Sequence, residues 1–221
     1  YFSDGMTDAL IAELSKIKAL RVISRTSVMR YKKTEKRLPQ IARELNVTAI
    51  IEGSVQRAQD EVRITAQLIR AAPEKHVWAN SFTKNFKNIL ALQSEVAQAI
   101  AREIKITMTE EERQSMASSR PVDPEAHEAY LKGRYFINKW TEDDIRKGIA
   151  YFEQAIAKDP GFASAYTGLA DGYDILASSG WMPKEEAFPK IKALALKALS
   201  IDSSLAEAYC LIGDAEFNDW N

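Results

Sequence analysis

The chain has 221 residues, 46% of them hydrophobic and 28% charged, with a formal net charge of -1. That balance excludes a disordered polyelectrolyte, and no apolar run approaches the ~20 residues of a membrane-spanning helix. One cysteine, Cys210, excludes an internal disulfide; beside Tyr209 and Ile212 it is expected to be a buried, inert thiol.

In chain order, Thr7 to Ile17 places Leu10, Ile11, Leu14 and Ile17 on one helical stripe, with Ser3, Asp4 or Thr7 as cap. Leu20-Arg-Val-Ile-Ser24 reads as a short strand. A basic loop from Arg30 to Arg37 leads into a second helix ending near Leu45. Three strands follow. Ile51, Gly53 and Val55 alternate with polar residues, as do Val62, Ile64, Ala66 and Leu68, and His76 to Phe82 forms the third. Gln59-Asp60 is the expected tight turn, and Pro73 marks the next loop. From Phe86 to Ile106, Ile89, Leu92, Val96, Ile100 and Ile104 recur at helical spacing. Glu110 to Pro124 reads as a boundary, with a Glu run, a Ser pair and two prolines. Asp123 is placed to cap the next helix. The remainder is helical, with turns at Asn138–Glu142, Asp159–Phe162, Ser178–Pro183 and Asp202–Leu205.

Charge divides along the same boundary. Residues 1–107 hold 18 Lys/Arg against 11 Asp/Glu, whereas residues 108–221 hold 12 against 20. Two domains with opposite fields are expected, attracting each other or partners of opposite sign.

The second half repeats itself. Ala163-Ser-Ala-Tyr166 through Asp171 aligns with Ala206-Glu-Ala-Tyr209 through Asp214 at a shift of 43 residues, which also carries Ala155 and Asp159 onto Ala198 and Asp202. A third copy, out of strict register, runs from Ala129 to Phe136 and on to Phe152, Ala155 and Pro160. Small residues belong where helices cross closely, and large ones fill the gaps between them. Gly133, Ala170 and Gly213 are expected at the close contacts of the first helices and Ala155 and Ala198 in the second, with Phe136 and Tyr173 as the matching large residues. Stacked helical repeats make binding surfaces more often than active sites.

This half resembles the tetratricopeptide repeat, with about three extra residues between the helices of the first copy and about nine in the second, around Ser178 to Pro183. The front half resembles the TolB amino-terminal-like domain in Tyr1-Phe-Ser-Asp-Gly5, Arg21-Val-Ile-Ser-Arg-Thr26, Ile51-Glu-Gly-Ser-Val-Gln-Arg57, Val62-Arg-Ile-Thr-Ala-Gln-Leu68 and Leu92-Gln-Ser-Glu-Val-Ala97. The resemblance implies an α/β domain with a small mixed sheet over 1–107, its first strand missing, and a linker over 108–124. About two and a half tetratricopeptide repeats then occupy 125–221, an all-α solenoid. It further implies a bacterial signalling protein. Relatives of this layout carry a CadC-type winged helix, a class III adenylate/guanylate cyclase domain or a serine/threonine kinase domain further upstream. Membrane attachment is expected only through upstream sequence, and a periplasmic or cytoplasmic position is left open.

The resemblance also implies where a partner sits, because the first helix of each repeat lines the groove. Counted from Ala126, Ala163 and Ala206, the lining residues are His127, Tyr130, Arg134 and Ile137, then Ser164, Thr167, Asp171 and Asp174, then Glu207, Cys210, Asp214 and Phe217. Of these, Asp171, Asp174, Glu207 and Asp214 make the surface acidic and suit a basic protein or peptide, with Arg134 among them. Tyr130, Ile137 and Phe217 are the expected apolar anchors. Self-association is expected through an open sheet edge beside Leu20–Ser24 or through the half-repeat at the end. The basic loop with Tyr31 fits phosphates, but lacks a second basic stripe, so nucleic acid is not an expected partner. His76 and His127 lie in different domains without cysteine partners. No catalytic residue, metal or cofactor is expected in this segment.

Overall fold

A computed structural model describes residues 2–105, 109 and 120–219, with side chains through Glu216 in the last helix. They fall into two compact units, one formed by Met6–Pro121 and one by Tyr1–Gly5 together with Val122–Asn221. The Glu110–Glu112 run lies outside the described residues.

The first of these units holds α1 (Phe2–Ser15) from Met6 onward, then α2 (Arg25–Met29) and α3 (Leu38–Leu45), which precede β1 (Ala49–Ala58), β2 (Glu61–Ala71) and β3 (Glu74–Asn85). A 3-10 turn at Phe86–Asn88 then leads into α4 (Ile89–Glu103). The strands form an antiparallel sheet in the order β1-β2-β3. Its register pairs Ile51 with Leu68, Gly53 with Ala66 and Val55 with Ile64. Alternation in β2 buries Val62, Ile64, Ala66 and Leu68 on one face, onto which α3 and α4 pack. Gln59, with φ of 52°, takes the left-handed backbone needed for the tight turn.

Four expectations change here. The helix begins at Phe2, so Ser3, Asp4 and Thr7 lie inside it rather than capping it. Leu20–Ser24 is not a strand. Arg21 instead donates to the carbonyl oxygens of Leu45 and Asn46, holding this segment across the end of α3. With that segment outside the sheet, hairpins make every connection and the sheet is antiparallel rather than mixed. The open edges are therefore those of β1 and β3, not one beside Leu20–Ser24.

The other unit contains α5 (Pro124–Ile137), α6 (Glu142–Lys158), α7 (Ala163–Ser178), α8 (Lys184–Ile201) and α9 (Ala206–Asp219). Each packs on its successor, and α5 and α9 both also touch α7. Caps fix the boundaries: Asp123 Oδ1 accepts from the amides of Glu125 and Ala126, and Thr141 Oγ1 from that of Asp144.

Equivalent turns close with equivalent bonds. Asp159 Oδ1 accepts from Gly161 N at 3.1 Å, and Asp202 Oδ1 from Ser204 N at 2.9 Å. Tyr166 Oη donates to Pro160 O at 3.0 Å, and Tyr209 Oη to Ser203 O at 3.2 Å. The 43-residue shift is thus a repeat of geometry as well as of letters.

Glycines bring the helices together. A Cβ on Gly133 or on Gly168 would lie 2.6 Å from Phe152 Cε1, so the Phe152 ring fills the space that both leave open. Gly213 departs from this pattern, since a Cβ there would meet nothing within 4 Å. Among the described residues no helix covers that side of α9.

Candidate partner-binding site

The candidate residues sit on α5, α7 and α9, the first helix of each repeat. Asp171 lies at the middle of α7, where Arg134 of α5 reaches it, Nη1 to Oδ2, at 3.2 Å. Asp174 follows one turn on and is half-buried. Burial first, then the carboxylates of Asp171 and Asp214, hold its carboxyl above the usual range. Asp171, Asp174 and Asp214 therefore gather on one face, and Arg134 partly compensates them. Water screens each exposed pair, so each contributes little energy.

Tyr130 belongs to the floor of this region. Its ring centroid lies 5.1 Å from that of Phe162 and 5.8 Å from that of Phe152, which leaves it half-buried. Ile137 is not an anchor. It is 2% exposed and shares a core with Ile145, Ile149 and Phe152. The reason is local: α6 approaches so closely at Gly148 that a Cβ there would lie 2.5 Å from Ile137 Cγ2.

Others among the lining residues also shift. His127 is 1% exposed and stacks on Phe162, which makes it a packing residue, and Thr167 is buried too. Glu207 is exposed in the first turn of α9. Cys210 is exposed rather than buried, because it shares the uncovered side of α9 with Tyr209. The Phe217 side chain lies outside the described residues.

Chemically, the face is a set of carboxylates with one guanidinium among them. Among the described residues no three His, Cys, Asp or Glu side chains are grouped to hold a metal ion. None of the described helices is long and apolar enough to cross a membrane. In the other unit, the basic loop folds back on Glu44, whose carboxylate accepts from Lys36 Nζ at 2.8 Å and from Tyr31 Oη at 2.8 Å. Those two bonds hold the Glu44 carboxyl down to about 2. Sequence reasoning missed a cleft beside the turn between α7 and α8. Its signal was the enlarged turn itself, which carries Trp181, Met182 and Pro183.

No protein-family profile matches the chain. It is 33% identical to Putative adenylate cyclase 3 of Rhizobium meliloti (strain 1021) over 170 residues, 77% of this chain and 29% of that protein. It is 29% identical to the transcriptional regulator HilA of Salmonella typhimurium (strain LT2) over 84 residues, 38% of this chain and 15% of that one. HilA of Salmonella typhi matches to the same extent. The stretches matched thus span under a third of the cyclase and under a fifth of HilA. Both names denote signalling or regulation, and the chain is related to a part of each.

Proposed function

We propose that this chain is a sensory or protein-docking segment, without catalysis of its own, of a larger bacterial signalling or transcription-regulatory protein. In this reading residues 1–107 are a TolB amino-terminal-like domain, 108–124 a linker and 125–221 about two and a half tetratricopeptide repeats. The recurring turn at Asp159 and Asp202, with its Tyr166 and Tyr209 bonds, supports the repeat assignment.

The carrying observation is the convergence of Asp171, Asp174 and Asp214 from two first helices onto one face. A basic protein or peptide suits that face, with Tyr130 as an apolar neighbour. The relatives support a segment separable from its output. Matches of 170 and 84 residues in a chain of 221 must overlap, yet one relative is named a cyclase and the other a transcriptional regulator.

Binding of a fluorescent oligolysine peptide to the 221-residue chain tests this reading. Asp171→Asn and Asp214→Asn should each weaken binding about 1.5- to 5-fold at low salt, the range of exposed ion pairs, and less at raised salt. Unchanged affinity in both variants removes the acidic-face reading.

A second reading is favoured by the 33% identity to a protein named as a cyclase. The chain is then the regulatory part of a class III adenylate/guanylate cyclase or a kinase, with catalysis supplied by sequence outside it. The gene upstream of Tyr1 distinguishes the two, by encoding a winged helix or a cyclase or kinase domain.

A further inference from the structure

Beside the turn joining α7 to α8 lies a cleft of about 520 Å³, which includes none of the three gathered aspartates. Its walls come from Ile149 and Glu153 of α6, Tyr173 and Leu176 of α7, and Trp181 and Met182 of the turn. The turn is built to present those last two residues. Gly180, with φ of 74°, reverses the chain in a left-handed conformation. The amides of Trp181 and Met182 then both donate to Leu176 O, at 2.9 and 3.1 Å. Arg146 Nη2 donates to Trp181 O at 3.2 Å from the other side. Pinned in this way, the Trp181 and Met182 side chains stay half-buried at the mouth of the cleft.

The charges at the rim are unequal. Arg146 is engaged by Glu142 at 2.8 Å, and Lys190 by Glu186 at 2.7 Å, with its ammonium 5.4 Å from the Tyr173 ring centroid. Among the described residues no cation pairs with Glu153, which leaves a carboxylate as the uncompensated charge. Aromatic and methionine walls suit an apolar side chain, the first because they are rigid and the second because it adapts. The volume falls within that of small ligand sites.

We propose that this cleft seats an apolar side chain of a partner peptide, with a lysine or arginine next to it held by Glu153. The site is independent of the acidic face on α7 and α9. The whole chain, labelled with ¹³C-methyl methionine, tests the proposal when titrated with capped Gly-Leu-Lys-Gly, Gly-Leu-Glu-Gly and Gly-Ser-Lys-Gly. The Met182 signal, identified with Met182→Leu, should move saturably with the Leu-Lys peptide and at least fivefold more weakly with the other two. Trp181→Ala should weaken that response tenfold or more. Glu153→Lys, a surface change that leaves the core intact, should reverse the preference towards Leu-Glu. Asp171→Asn should leave the response within twofold, which separates this site from the acidic face. A Met182 signal unmoved by the Leu-Lys peptide, or an order of preference unaltered by Glu153→Lys, overturns the proposal.

Discussion

Helices α7 and α9 share two alanines, a tyrosine and an aspartate at matched positions but live in different surroundings. Tyr166 and Tyr209 make the same hydrogen bond, yet Tyr166 is 8% exposed and Tyr209 57%. Ala170 is fully buried against α8, whereas its counterpart Gly213 faces open space. The comparison separates two kinds of information in a repeat. Turn chemistry is local and survives wherever the letters recur; burial belongs to the neighbours and does not travel with the letters.

Substitutions at matched positions can break that comparison. The largest effect is expected at Phe152, fully buried between Gly133 and Gly168, where Phe152→Ala should cost about 3–5 kcal/mol in denaturant unfolding. Next come the glycines. Gly133→Ala and Gly168→Ala drive a methyl into the Phe152 ring and should destabilise by about 1–3 kcal/mol. Gly213→Ala meets nothing and should instead stabilise by about 0.5–1 kcal/mol, through helix propensity alone. The same sign for all three would erase the distinction between covered and uncovered helices. Tyr166→Phe should cost about 1 kcal/mol, and Tyr209→Phe under about 0.5 kcal/mol because water replaces its bond.

The smallest effect sharpens the electrostatic side of the comparison. Asp174 holds its proton more tightly in the folded state, so its ionisation opposes folding. That opposition is absent at low pH, below the ordinary carboxylate range, and complete once pH exceeds the raised folded value. Asp174→Asn should therefore raise Tm by about 1–3 °C at neutral pH, and this gain should vanish in acid. Thermal melts of both proteins across the acid range check the sign.

The legible parts of this fold are the ones set by short-range rules. The β1-β2 register followed from period-two alternation with Gln59-Asp60 as the turn, and the α5 start from Asp123 as its cap. Leu20–Ser24 misled because Val22-Ile23 has strand character, while the deciding contact, Arg21 on the end of α3, spans more than twenty residues. Ile137 was counted onto the binding face because the counting assumed a constant distance between helices. The close approach of α6 at Gly148 encloses it instead. Asp171 and Asp214 were legible as equivalent positions, because they recur at the same turn of successive first helices, whereas Asp174 lies one turn beyond Asp171.

The central claim is that a basic partner docks on the first-helix face. The direct measurement is an amide NMR titration of the 221-residue chain with a cationic peptide. The account predicts the largest shifts at Arg134, Asp171, Asp174 and Asp214, shrinking as salt is raised. Shifts confined to other surfaces, or none at low salt, would contradict it.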